Sequence, residues 1–179
     1  MMRTFIACAA LALAGVPVAA FAQDGAKLDC VATTATPGFK TSVGQVMTGA
    51  GDEASRNALF AQFGAIVDGC VTKHKIDEAQ RATYFDYSLA RISREWLIAE
   101  LARSSLKASV VDKALDFGPR GANPDLSGDM TDDQISAIVA AYVADGVNID
   151  AVDQAVWEKV GAYAASTSIY WNRRKLLAP

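Results

Sequence analysis

Histidine is nearly absent from this chain, since His74 is the only one among 179 residues. A zinc site with two histidines is therefore excluded, and a Ser-His-Asp triad would depend on this one residue as its base. His74 lies between Lys73 and Lys75, a context typical of an exposed helix end. We therefore assign it no catalytic or metal-binding role.

An excess of positive charge is also missing. The chain carries 17 Lys and Arg against 20 Asp and Glu, a net charge of -3. General nucleic-acid binding depends on clustered positive charge, so no nucleic-acid partner is expected. After residue 22 the sequence contains no apolar run of membrane-spanning length, so we expect no transmembrane segment there.

The one long apolar run covers the first 22 residues and has the features of a secretory signal peptide. Arg3 supplies a positive start, residues 4–18 are almost entirely apolar, and Ala20-Phe21-Ala22 is a small-x-small cleavage site. We expect residues 1–22 to be removed and the mature protein to be periplasmic or extracellular. Removal changes the net charge from -3 to -4, and about 160 residues remain, enough for one domain.

Cysteine is scarce. Cys8 lies inside the predicted signal peptide, which leaves Cys30 and Cys70. Two cysteines in an oxidising compartment usually pair, so we predict a Cys30–Cys70 disulfide. Closing a loop of about 40 residues would restrict the unfolded chain by about 4 kcal/mol. The alternative is a pair of free or metal-binding thiols, for which the sequence offers no evident third or fourth ligand.

Strand-like alternation of period two is missing as well. Apolar residues recur instead at spacings of three and four. This periodicity predicts an all-α protein, a compact bundle of five or six helices. The predicted helix starts are Asp52, Asp77, Thr131 and a residue near Asn148 or Asp150, with a shorter helix that ends at Phe117. Residues expected to face inward include Trp96, Ile135, Ile138, Val139, Tyr142, Val143 and Trp157.

Residues 23–51 lack a clear apolar stripe. They are rich in Thr, Ala and Gly, and Pro37-Gly38 is a turn signal. We predict an irregular N-terminal arm over 23–51, clipped by the disulfide onto a helical domain at 52–179. Arm and domain would form a single globular unit.

Oxygen-bearing side chains alternate through the segment that follows Gly118-Pro119. They are Asp125, Ser127, Asp129, Thr131 and Asp133, a spacing that resembles a calcium-binding loop. Met130 stands where that loop needs glycine, and Ser136 stands where it needs a bidentate Glu. We therefore expect no metal and no cofactor, with weak calcium binding at Asp125, Asp129 and Asp133 as the alternative.

Catalytic patterns in the sequence are incomplete. Ser104-Ser105-Leu106-Lys107 matches a Ser-x-x-Lys pattern, but the companion Ser-Asp-Asn and Lys-Thr-Gly elements are missing. Glu95 and Glu100, candidates for a carboxylate pair together with Asp86, point about 140° apart on a helix. The sequence therefore favours a protein without catalytic activity. The alternative is a small hydrolase acting on cell-envelope material.

Cations and aromatic side chains concentrate near the C-terminus. The residues are Tyr170, Trp171, Arg173, Arg174 and Lys175. They are a candidate contact surface for a partner or for the surface of an anionic membrane. The 118–130 loop, which we expect to be weakly anchored, is a second candidate. The resulting hypothesis is an exported helical binding protein whose partner is an unknown protein or a small apolar ligand.

Overall fold

A computed structural model describes the backbone of residues 18–177 and the side chains of residues 25–177. Within that range the chain is all-α, as predicted, with seven α-helices and no strand. The helices are α1 (Val18–Thr34), α2 (Pro37–Met47), α3 (Glu53–His74), α4 (Arg81–Arg103), α5 (Ala108–Ala114), α6 (Asp132–Ala144) and α7 (Gln154–Leu177). Single turns of 3-10 helix at Glu78–Gln80 and Ile149–Ala151 precede α4 and α7. Residues 1–17 of the predicted signal peptide lie outside the described residues.

The long helices α4 and α7 make the most extensive contact between helices in the described part of the chain. The core divides into two clusters along them. One cluster is centred on Phe63, Tyr84 and Tyr87 and is built from α1 to α4 with the end of α7. The other contains Leu97, Tyr142 and Tyr163 and is built from α4 to α7. Helix α4 contributes to both clusters and joins them.

Two predicted helix starts are confirmed by their caps. The Asp52 carboxylate accepts a hydrogen bond of 2.7 Å from the Ser55 N–H at the start of α3. Thr131 and Gln134 form a reciprocal capping box at the start of α6. Asp77 instead caps the 3-10 turn that precedes α4.

The segment 23–51 is helical, so the prediction of an irregular arm is wrong. It forms most of α1 and all of α2, which begins with Pro37 behind a Thr36 cap. Its Thr and Gly content gives weak helix propensity, but propensity yields to tertiary burial. Val31 and Val43 are 0% and 1% exposed within the first core cluster. Packing of this segment against the core therefore supplies the stabilisation that its composition lacks.

The predicted disulfide is confirmed. Cys30 of α1 and Cys70 of α3 are bonded, with their Cα atoms 5.9 Å apart. Both cysteines are buried in the first core cluster. The bond therefore ties one helix to another.

The two tryptophans expected in the core lie at its edge. Trp96 and Trp157 are half-buried and pack against the second cluster from outside. The Trp96 ring lies on the backbone of Gly44, where an added Cβ would be 2.2 Å from the Trp96 Cδ2 atom. The missing side chain of Gly44 therefore sets how closely α2 approaches α4.

We predict that Gly44→Ala destabilises the protein. Alanine gains about 1 kcal/mol of helix propensity over glycine, but overpacking against a rigid ring costs about 1–3 kcal/mol or more. The clash should dominate, and urea unfolding should show a lower midpoint. Gly38→Ala, in the same helix with no atom within 4 Å of the new Cβ, is the control and should not lower stability. Equal midpoints for the two variants would contradict the close contact.

Candidate functional site

An apolar groove of about 440 Å³ lies between α6, the 3-10 turn at Ile149–Ala151 and α7. Only one of its lining residues is charged, and the others are apolar side chains or glycine. The lining consists of Met130, Ile135, Ile138, Val139, Ile149, Asp150, Trp157, Val160 and Gly161. Small-molecule sites in proteins commonly have volumes of about 300–1,000 Å³ and a mainly apolar wall. The groove therefore has the size and chemistry of a ligand site.

The apolar stripe of α6 is only partly covered by the rest of the protein. Ile138 and Tyr142 are buried, as predicted. Ile135 and Val143 were expected to face inward, but they are 44% and 52% exposed. The stripe is wider than the surface that α5 and α7 present to it. Ile135 consequently forms an open wall of the groove.

Gly161 lines the groove without a side chain that would occupy part of it. It lies inside α7, where glycine is less favourable than alanine by about 0.5–1 kcal/mol. An added Cβ would meet only the Met130 Cε atom, at 3.8 Å, so packing within the fold does not require glycine here. Met130 also lines the groove, and its flexible thioether can adapt to the shape of an occupant.

The candidate contact residues near the C-terminus make several contacts within the protein. Tyr170 stacks on Tyr87 with ring centroids 5.3 Å apart, and Trp171 meets Tyr170 edge-on at 4.9 Å. Arg173 pairs with Asp86 of α4 at 3.1 Å. The aromatic rings thus pack against the core clusters.

Two of those residues, Tyr170 and Arg174, line a small polar pocket where α1, α4 and α7 meet. Its other lining residues are Asp29, Arg91, Arg94 and Glu95, and its volume is about 130 Å³. Lys175 is exposed and is not one of the lining residues. The sequence pattern indicated part of this site but not the two arginines of α4.

The 118–130 loop is firmly anchored, contrary to the expectation of few anchors. Asn123 is 3% exposed, and its side chain binds both backbone groups of Gly118 and the carbonyl of Gly121 at 2.7–2.9 Å. Ser168 of α7 accepts from the Leu126 N–H and donates to the Pro124 carbonyl. These polar groups of the 118–126 segment are therefore engaged within the protein.

The calcium alternative gains no support from the structure. Among the described residues, no group of three or more His, Cys, Asp or Glu side chains is placed to hold a metal ion. Asp125 accepts from the Ser127 N–H within its own turn, and Asp133 lies in the first turn of α6. The three aspartates therefore have no shared site there.

The carboxylates considered for hydrolysis are each held by a different cation. Glu95 pairs with Arg91, and Asp86 pairs with Arg173. Glu100 binds Lys159 at 2.7 Å, and this hydrogen bond holds the pKa of the Glu100 carboxyl below its usual range. A general acid needs the opposite shift, towards neutral pH. These carboxylates are therefore engaged as ion-pair partners.

We predict that Asn123→Asp destabilises the protein by about 2–4 kcal/mol at pH 7, because two carbonyls lose their donor and face a carboxylate instead. The folded state would favour the protonated acid, so its pKa would be raised. The loss of folding stability should grow as pH rises above about 4, because the new carboxyl then ionises, and it should shrink below that pH. Urea unfolding at pH 7 and at a pH below about 4 measures the difference in stability. The exposed Ser127→Ala is the control. A pH-independent loss would contradict the proposed contacts.

Comparison with known proteins finds no significant match, neither a family model nor a curated protein nor a solved structure. The chemistry of the groove and of the pocket is therefore the basis for assigning a function.

Proposed function

We propose that this chain is an exported binding protein without catalytic activity, and that it holds a small apolar ligand in the groove between α6 and α7. The observation that carries the proposal is the groove itself, an apolar concavity of about 440 Å³ with one charged residue in its lining.

The lining supports an apolar ligand. Ile135 and Trp157 are both accessible from the groove, and an occupant that covered them would gain about 25 cal/mol for each Å² of apolar surface removed from water. Asp150 is exposed and offers an acceptor to a hydroxyl or amine at one end of the ligand. A mostly apolar molecule with one polar end fits this arrangement.

Export is supported by the signal-like N-terminus and by the disulfide, since structural disulfides persist mainly in oxidising compartments. Among the described side chains of α1, the first in the core is Leu28. Cleavage after Ala22 would therefore leave Leu28 and Cys30 in the mature protein. We place the mature protein in the periplasm or outside the cell. No helix in the described residues is long and apolar enough to cross a membrane.

We predict that the neutral probe N-phenyl-1-naphthylamine binds the purified oxidised protein saturably. Its emission should rise on transfer to an apolar site, and the fluorescence of Trp157 should be quenched because this ring lines the groove. Gly161→Leu should fill the groove and weaken binding at least tenfold, about 1.4 kcal/mol. Fluorescence titration measures both effects.

Gly64→Leu is the matched control for the groove. Gly64 lies inside α3 with no atom within 4 Å of an added Cβ and does not line the groove. This variant should bind the probe like the wild type. Equal binding by the Gly161 and Gly64 variants would contradict the proposed site. Turnover of ester or peptidoglycan substrates by the wild-type protein would instead support the hydrolase alternative.

The proposed export predicts a defined N-terminus for the mature protein. Expression of the full chain in a bacterium with a secretory pathway should yield a mature protein that begins at Gln23, with or without cyclisation of that residue. Mass spectrometry of the exported form identifies the N-terminus. A mature protein that retains residues 1–22 would contradict the proposal.

A further inference from the structure

The charged residues of the segment that builds most of the apolar groove are all of one sign. Residues 121–158 contain eight Asp and Glu and no Lys, Arg or His. This segment supplies seven of the nine residues that line the groove. The rest of the chain after residue 22 has the opposite balance, with 16 Lys and Arg against 12 Asp and Glu. The groove is therefore built mainly from the acidic part of a chain whose remainder carries net positive charge.

Most of these carboxylates have no cation beside them. Asp145 pairs with Lys107 at 3.0 Å, and the other seven make no ion pair among the described residues. Lys159 directly follows the segment on α7, but it binds Glu100 at 2.7 Å and lies over the Trp96 ring, 5.9 Å from its centroid. This lysine is therefore engaged with α4. The negative charge of the segment is left for solvent ions or a ligand to balance.

Asp150 brings this negative charge into the groove itself. Its side chain is exposed, lines the groove, and makes no hydrogen bond or ion pair with the described residues. Asp132 lies three residues before Ile135 and thus on the same face of α6, beside the open wall of the groove. A negatively charged ligand group placed there would be repelled, whereas a positively charged group would be attracted.

The Trp157 ring offers a second contact for a cation. It is half-buried, lines the groove, and meets the Tyr142 ring at an angle of 76° with centroids 5.8 Å apart. No Lys or Arg of the described residues lies over the Trp157 ring. Ammonium groups are attracted to the faces of aromatic rings, and tryptophan attracts them best. An unpaired carboxylate and an unoccupied aromatic ring in one groove both favour a cation.

We propose that the groove binds a cationic amphiphile, a molecule with an apolar body and one ammonium end, and that it disfavours anionic amphiphiles such as fatty acids. The apolar body would lie against the isoleucines and valines of the wall, with the ammonium beside Asp150. This inference rests on the proposed function, because the groove must first hold a ligand. It selects the amine from the two polar ends, hydroxyl and amine, that Asp150 can bind.

Competition between ligands of equal chain length tests the charge preference. Octylammonium, octanoate and 1-octanol are used separately to displace N-phenyl-1-naphthylamine from the oxidised protein at neutral pH. At about 0.01 M ionic strength, octylammonium should bind at least about threefold more tightly than octanoate, since one exposed ion pair alone changes affinity by about 1.5- to 5-fold. The difference should shrink at about 1 M, where charges are screened beyond about 3 Å.

A pair of variants assigns the preference to the groove. Asp150→Asn removes the carboxylate and keeps an amide of nearly the same shape, so it should weaken octylammonium binding by about 1.5- to 5-fold and leave 1-octanol binding unchanged. Glu53→Gln is the matched control, because it removes one exposed carboxylate of α3 that does not line the groove. It should bind octylammonium like the wild type. An equal loss in both variants overturns the contact with Asp150.

The outcomes distinguish this inference from the proposed function. Saturable binding of the neutral probe and of 1-octanol, weakened by Gly161→Leu, supports the groove as a ligand site. If octanoate then binds as tightly as octylammonium or more tightly, the cationic preference is overturned and the proposed function stands. If none of these ligands binds saturably, both are overturned.

Discussion

The packing of α4 against α7 is the contact on which the rest of the molecule depends. Helix α4 places Tyr84 and Tyr87 in one core cluster and Leu97 in the other. Between them, Arg94 of α4 reaches across to Thr167 and Tyr163 of α7. The remaining helices add to this pair, α1 to α3 around one cluster and α5 and α6 around the other. Both candidate sites are built on the pair, because α7 lines the groove and both helices line the polar pocket.

Much of the helical fold was predictable from local patterns. The apolar stripes of α3, α4, α6 and α7 are long. Asp52 and Thr131 were recognisable as helix caps because their side chains can accept a hydrogen bond from a backbone N–H of the first turn. The disulfide was predictable from the cysteine count and the compartment that the N-terminal residues led us to expect. The helices of segment 23–51 were not predictable, because their stability comes from contacts such as Gly44 with Trp96 that join residues far apart in sequence.

The candidate sites were less predictable than the fold, for a related reason. The stripe of α6 shows which residues are apolar but not which of them a neighbouring helix covers, so Ile135 was assigned to the core. A stripe that also includes Val143 is wider than one packing face, and this width is the signal that pointed to uncovered surface. Sequence patterns did not place Arg91 and Arg94 in the polar pocket, because only the fold brings them beside Arg174, about 80 residues further along the chain.

The groove coincides with two features that the fold alone does not explain. Ile135 is an exposed apolar side chain, and Gly161 is a helical glycine that packing does not require. Each such feature lowers stability, and natural proteins retain such departures mainly where function needs them. The 118–126 segment shows the reverse, since Asn123 and Ser168 bind backbone groups of Gly118, Gly121, Pro124 and Leu126. A segment whose hydrogen bonds are already made offers little to a ligand, whereas the groove has apolar surface that a ligand can cover.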